Sequence, residues 1–127
     1  MKAQNLTIEL MVDDVKRSLE FYKKNLGFIP FVKVPEQDPF FVIMKNNSVQ
    51  IMLYHRNKFA EEIPKLKELK LGGSIVLYLE VDEVKKIFEK IKGNVKIIQE
   101  MHDTDYGTSE FSFEDFNGYI WMLSKKK

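Results

Sequence analysis

Apolar and polar residues alternate over 7–10 and run on through apolar Met11 and Val12, a short β-type run that ends in the acids Asp13 and Asp14. Val15, Leu19, Tyr22 and Leu26 then recur at helical spacing, which predicts a helix that buries one stripe. Asp13 or Asp14 is placed to cap its start, where a carboxylate also suits the positive end of the helix. Gly27 is placed to stop it. Residues 28–34, 40–45 and 48–55 read as three strands, the last two joined by a tight turn at Asn46-Asn47, since asparagine tolerates positive φ. After Gly72-Gly73 the same order returns: a strand over 75–81, a helix over 83–92 ended by Gly93-Asn94, and strands over 96–100, 110–114 and 119–124. The turn between the last two is Asp115-Phe116-Asn117-Gly118. Residues 57–71 link the halves. Pro64 interrupts them, and residues 65–71 are expected to form one more short helix.

The halves match residue by residue. Residues 10–20 (LMVDDVKRSLE) and 79–89 (LEVDEVKKIFE) are identical at six of eleven positions. Residues 47–53 (NSVQIML) echo 117–123 (NGYIWML) at nearly the same offset. Two pairs at one spacing imply a tandem duplication. The reading is one domain over 1–127, with modules at 5–56 and 72–124 and a linker at 57–71.

Composition narrows the function. With 44% hydrophobic and 31% charged residues, the chain is an ordinary globular one. A net charge of +1 offers no field to steer nucleic acid or an anionic membrane, and Lys125-Lys126-Lys127 reads as a solvated tail. The absence of cysteine removes disulfides, thiolate zinc sites and cysteine nucleophiles, and is compatible with a cytoplasmic location. No segment resembles a targeting peptide, and no apolar run approaches the ~20 residues that span a bilayer.

Residues 12–28 (VDDVKRSLEFYKKNLGF) and 106–121 (YGTSEFSFEDFNGYIW) resemble the vicinal oxygen chelate superfamily, which includes glyoxalase I, extradiol dioxygenases and bleomycin-resistance proteins. The second segment is most similar to the metal-free, bleomycin-resistance-like branch, where an Asp-Pro-Asp-Gly turn precedes the last strand; here Phe116 and Asn117 replace its middle residues. The resemblance implies an α+β fold of two tandem βαβββ modules, whose curved mixed sheets form a cup-shaped cavity. It also implies a homodimer. Metal-dependent members hold an ion with His, Glu or Gln from the first and last strand of each half. Those positions fall on Thr7, Met52, Val76 and Met122. Valine has no donor atom, methionine sulfur is soft, and a lone threonine hydroxyl is a weak ligand. The expectation is therefore no metal and no cofactor.

With Thr7 facing the cup, alternation brings Glu9, Gln50, Met52, Tyr54, Val76, Tyr78 and Met122 to the same side and turns Trp121 toward the helices. Such a lining suits a small organic ligand, with methionines as adaptable packing. The alternative is a cup filled by its own side chains. Glu9 is the one catalytic candidate: on the cup face it would be partly desolvated, its pKa raised, and able to act as a base or to anchor a cation. In water at a strand edge, or paired with a lysine, it would do neither. Tyr106 is placed to stack on a planar ligand or to pack at a subunit interface. His55 and His102 match no ligand spacing and read as solvated. Asp13, Asp14, Asp82 and Glu83 repeat at helix starts and read as caps. The resulting expectation is sequestration of a small molecule without bond chemistry. A metal-dependent glyoxalase-like lyase or isomerase, or a dioxygenase, is the alternative.

Overall fold

A computed structural model describes all 127 residues, which form two compact units, Met1–Leu69 and Lys70–Lys127. The first runs β1 (Ile8–Val12), α1 (Val15–Leu26), β2 (Ile29–Val34), β3 (Phe41–Asn46), β4 (Val49–His55), α2 (Arg56–Glu62) and a 3₁₀ turn, Pro64–Glu68. The second runs β5 (Val76–Glu80), α3 (Val84–Ile91), β6 (Lys96–Asp103), β7 (Thr108–Glu114) and β8 (Ile120–Lys126). Each unit has one four-stranded mixed sheet. Strand order is β1-β4-β3-β2 in the first and β5-β8-β7-β6 in the second, so the topology repeats as the sequence does. In both, the first strand runs parallel to the last and the other pairs are antiparallel. None of the helices is long and apolar enough to cross a membrane.

The helical stripe does what its spacing requires. Val15, Leu19, Tyr22 and Leu26 are all buried, with Leu10, Val12, Val42, Met44, Ile51 and Leu53 forming the rest of the first core. Asp14 caps α1 by accepting from the Arg17 amide at 3.0 Å, while Asp13 pairs with Arg56 at 2.6 Å. At the far end Gly27 takes φ +69°, and the amides of Gly27 and Phe28 bond back to Lys23 and Tyr22 carbonyls at 3.2 Å, closing the helix as a left-handed glycine allows. The second core packs Val84, Phe88 and Ile91 of α3 with Phe111, Phe113, Trp121 and Leu123, all buried.

Four local expectations need correction. The start of α3 is not capped by the second acidic pair: Glu83 occupies the cap position without a side-chain cap bond and lies 3.8 Å from Lys86 instead. Residues 57–62, expected as part of a linker, belong to α2, which packs on β4 and β1 of the first unit. The short helix that follows is the 3₁₀ turn Pro64–Glu68, ending before residue 71. Strands β6 and β8 also run further than their apolar residues indicate, to Asp103 and Lys126, because their ends pair across β7. Gly72 has a packing reason: a Cβ there would fall 2.6 Å from the Gly118 carbonyl oxygen, and its φ of +89° already favours glycine.

Candidate functional site

Strand register decides which side chains share a face. In the first unit Glu9 is opposite Met52, Met11 opposite Tyr54, Phe41 opposite Tyr54, and Lys45 opposite Gln50. These lie on the side away from α1, because Leu10 and Leu53, the next pair along, are in the core. In the second unit Val76 pairs with Ile120, Tyr78 with Met122, Ser112 with Met122, and Glu110 with Ser124. These too share the face away from the helix, since Phe111 on the opposite side meets Phe88 at 5.0 Å between ring centres.

The first unit's face is largely occupied by its own groups. Tyr54 stacks on Phe59 of α2 at 4.5 Å with an interplanar angle of 11°, has Phe40 at 6.3 Å, and donates its hydroxyl to Glu62 Oε2 at 3.0 Å. Burial, then the bond to Glu62 and the charges of Glu62, Glu9 and Glu61, raise the Tyr54 pKa above its ordinary value. Tyr54 was expected to line an open pocket; α2 covers one of its ring faces instead. Gln50, Met52 and Thr7 are half-buried. Glu9 is exposed, on the edge strand β1, and not partly desolvated as expected. Water can reach an edge strand from the side.

The buried carboxylate is in the second unit. Glu110, only 1% exposed, lies at the middle of a ring of hydroxyls. Tyr78, Thr108 and Ser124 donate to Oε2 at 2.7, 2.9 and 3.0 Å, and Tyr106 donates to Oε1 at 2.8 Å. Tyr78 Oη is also 2.8 Å from Ser124 Oγ, which ties the donors to one another. The four come from β5, the loop before β7, β7 itself and β8. The carboxylate is shielded by side chains laid over it rather than by depth, since Tyr78 and Tyr106 remain 51% and 66% exposed. Burial alone would raise the pKa of Glu110; the bonds from Tyr78, Tyr106, Thr108 and Ser124 outweigh it and hold the carboxyl below its ordinary range. On Tyr78 the Ser124 contact pulls downward, but the bond to Glu110, burial and the charges of Glu110 and Glu80 carry the pKa up. Tyr106 is raised first by its bond to Glu110. Val76, 50% exposed, and the half-buried Ile120 and Met122 continue the face beside Tyr78.

Glu110 is absent from the residues expected from sequence. Its signal was the alternation of Glu110, Ser112 and Glu114 with Phe111 and Phe113, which sends the acids and serine opposite to the core. The structure unites Val76, Tyr78, Tyr106 and Met122 on or beside the Glu110 ring, and Glu9, Gln50, Met52 and Tyr54 on the first unit's face. Both histidines bond locally: His55 Nδ1 accepts from the Asn57 amide at 3.2 Å, starting α2, and His102 Nδ1 sits 2.8 Å from the Glu100 carbonyl. No group of three or more His, Cys, Asp or Glu comes together to hold a metal ion. A threonine, a valine and two methionines at the four family positions do not fit a hard divalent cation.

These shifts set a pH profile. Asp103, held low by its bond from Ser109 and by Lys127, joins Glu110 as a depressed carboxyl. Their stabilisation is complete above the unfolded carboxylate values of about 4 and fades as pH falls through the folded ones. The raised tyrosines Tyr54, Tyr78 and Tyr106 stabilise fully below about pH 10 and cease to as pH rises through their folded values. Urea unfolding across pH is expected to give a plateau with an acid and an alkaline arm. Glu110→Gln flattens part of the acid arm; an acid arm identical in that variant contradicts the hydroxyl-ring account.

Comparison with known proteins follows the same lines. The glyoxalase/bleomycin resistance protein/dioxygenase superfamily model matches residues 6–123. The uncharacterized protein YraH of Bacillus subtilis (strain 168) is 30% identical over 102 residues, covering 77% of this chain and 78% of YraH. A protein of unknown function from Agrobacterium tumefaciens str. C58 superposes with a TM-score of 0.82 at 21% identity, over 100% of this chain and 97% of that one. TioX from Micromonospora sp. ML1 gives 0.78 at 15% identity, over 98% and 100%. At such identities the structural likeness shows the fold.

Proposed function

The chain belongs to the glyoxalase/bleomycin resistance protein/dioxygenase superfamily, and from that premise we propose that it binds a small organic molecule without a metal ion, holding it rather than transforming it. The observation that carries this reading is the pair of tyrosines fixed on the exposed face of the second sheet. Tyr78 and Tyr106 have their hydroxyls locked on Glu110, so their rings are oriented before any ligand arrives, and Val76, Ile120 and Met122 extend the surface with apolar groups. Rigid aromatic anchors and a few placed polar atoms are the makeup of a small-molecule site. The same residues are poor machinery for bond chemistry. The donor set at Thr7, Met52, Val76 and Met122 supports no Lewis acid, and the phenols have their protons committed to a carboxylate.

A cytoplasmic homodimer completes the reading. Strands β1, β2, β5 and β6 are sheet edges, and pairing with a second copy is one way to protect them. Sedimentation at working concentration tests this; a monomer excludes it.

The test of the binding reading is a thermal-shift screen of small organic compounds, run with chelator and again with Ni, Zn, Mn or Fe(II), beside elemental analysis of the protein. A ligand at about a hundred times its Kd stabilises by about 2.7 kcal/mol, several degrees in Tm. The expected result is such a shift for some organic compounds, equal with and without chelator, and sub-stoichiometric metal. One tightly held metal per chain, or a ligand shift abolished by chelator, overturns the proposal in favour of a metal-dependent lyase, isomerase or dioxygenase. No organic ligand at all overturns it in favour of an interaction module.

A further inference from the structure

We propose that the second unit carries a separate anion site, a cleft of lysines that takes a short phosphate chain, free or carried by a small organic molecule. The cleft, of about 550 Å³, lies between the start of α3 and the end of β8. Five lysines line it: Lys85 and Lys86 at the start of α3, then Lys125, Lys126 and Lys127. Two buried residues, Val84 of α3 and Ser109 of β7, line it with them. Register sets Ser109 and Lys125, which pair, on the helix side of the sheet with Phe111 and Leu123. Tyr78 is on the other side, so this is not the face discussed above.

The charge in this cleft is unbalanced, and it is held in place. Lys86 has Glu83 at 3.8 Å, and Lys127 has Asp103 at 3.2 Å. Lys85, Lys125 and Lys126 have no carboxylate within 4.0 Å, so their charge is uncompensated on a chain whose net charge is only +1. Residues 125–127, expected as a solvated tail, are exposed but fixed through their backbone. Lys125 and Lys126 pair with Ser109 and Thr108 in the sheet, and the Lys127 amide donates to the Gly107 carbonyl at 3.0 Å. Cations carried by two ordered elements cost a ligand less ordering than cations on a mobile tail. The start of α3 adds the same sign, since no side chain caps it. In the first unit the matching strand stops at His55, the chain turns into α2, and Arg56 is held by Asp13 at 2.6 Å. The second copy leaves its cations free.

The ligand class follows from the donors. Ammonium groups are compact charges with three rotatable donors each, which suit phosphate oxygens and lack the planar fork that selects a single carboxylate. Several of them around one cleft favour a ligand whose charges are close together. A chain of phosphates therefore gains over a single anion, and the volume is that of a small-molecule site. The lining has no aromatic ring on which a base could stack, unlike the grooves that track single-stranded nucleic acid.

Orthophosphate, pyrophosphate, tripolyphosphate and adenosine triphosphate, titrated into the full chain at constant ionic strength, test the site by calorimetry and by amide NMR shifts. Affinity is expected to rise with each added phosphate, tripolyphosphate binding about tenfold or more tightly than orthophosphate, and to fall as salt is raised. The shifts are expected at Lys85, Ser109 and Lys125. Lys85→Gln with Lys126→Gln is expected to weaken tripolyphosphate about tenfold. Lys23→Gln with Lys24→Gln, two exposed lysines of α1, is expected to leave it unchanged. All four side chains are exposed, so both double variants should fold, and their Tm values check it. Adenosine triphosphate equal to tripolyphosphate assigns recognition to the phosphate chain alone; tighter binding assigns it to a carried one, and either supports the site. Compounds from the organic screen should stabilise the Lys85 and Lys126 double variant as they do the parent, because their face is the opposite one. Tripolyphosphate that does not bind, or that weakens equally in both double variants, overturns the proposal. So does a four-nucleotide single strand that shifts the same amides and binds more tightly than tripolyphosphate, which would make the cleft a nucleic-acid contact.

Discussion

Phe111→Ala is expected to lower stability by about 4 kcal/mol, within the range for truncating a fully buried phenylalanine. Phe111 has no exposed surface, meets Phe88 edge-on at 5.0 Å, and lies 6.2 Å from Phe113. It thus joins α3 to the centre of the second sheet, and alanine leaves a void flanked by two aromatic rings that cannot collapse without moving the helix. Phe111→Leu, which keeps most of the volume, is expected to cost less than about half as much. Urea denaturation of both variants checks the pair. A loss below about 1.5 kcal/mol for the alanine variant means that the core is not organised around this residue. The neighbours Glu110 and Ser112, on the opposite face of the same strand, give the contrast: their substitution should move ligand response and pH profile more than core packing.

Asp115→Ala is expected to cost about 3 kcal/mol and to lower Tm by about 10–15 °C. Its carboxylate is buried and closes the turn between β7 and β8. Oδ1 accepts from the amides of Asn117 at 2.9 Å and Tyr119 at 3.0 Å, and Oδ2 from the indole of Trp121 at 3.0 Å. Alanine removes the acceptor of three donors, two of them backbone amides of the turn. Asp115→Asn retains an acceptor for the amides but turns an NH₂ toward the indole, and should cost about half as much. Differential scanning calorimetry of the two variants measures both steps. An alanine variant within about 0.5 kcal/mol of the parent would show that water replaces the carboxylate, and that the turn is held by Gly118 at φ +95° and its amide bond to the Asp115 carbonyl.

The turn also shows how a motif can survive change. Phe116 and Asn117 stand where the related pattern has proline and aspartate, yet the groups that fix the geometry are its first residue, Asp115, and its last, Gly118. Both were legible in the sequence, as were the α1 stripe, the Gly27 stop, the parity of Tyr78 with Val76, and the duplication itself. What they have in common is that the controlling contacts lie within a few residues, or within one period of a helix or strand.

Helix α2 was not legible. Over its seven residues only Phe59 is buried, so no period could form; the helix exists because Phe59 finds Tyr54, and because His55 starts it. The exposure of Glu9 was not legible for a related reason. Alternation gave its face correctly, but whether that face is dry depends on its neighbours, and β1 is at a sheet edge.

The sequence by itself determined the two βαβββ units, the buried stripe of α1, and the parity of the first and last strand of each unit, because those follow from side-chain spacing along one chain. Only the tertiary structure decided that the buried acid is Glu110 and not Glu9. Burying a carboxylate requires donors on all sides, and the four that surround Glu110 arrive from Tyr78, 32 residues before it, from Tyr106 and Thr108 close at hand, and from Ser124, 14 residues after. No periodicity encodes that convergence. It is created by the parallel pairing of β5 with β8 and the antiparallel pairing of β8 with β7, which set three distant hydroxyl-bearing segments around one carboxylate.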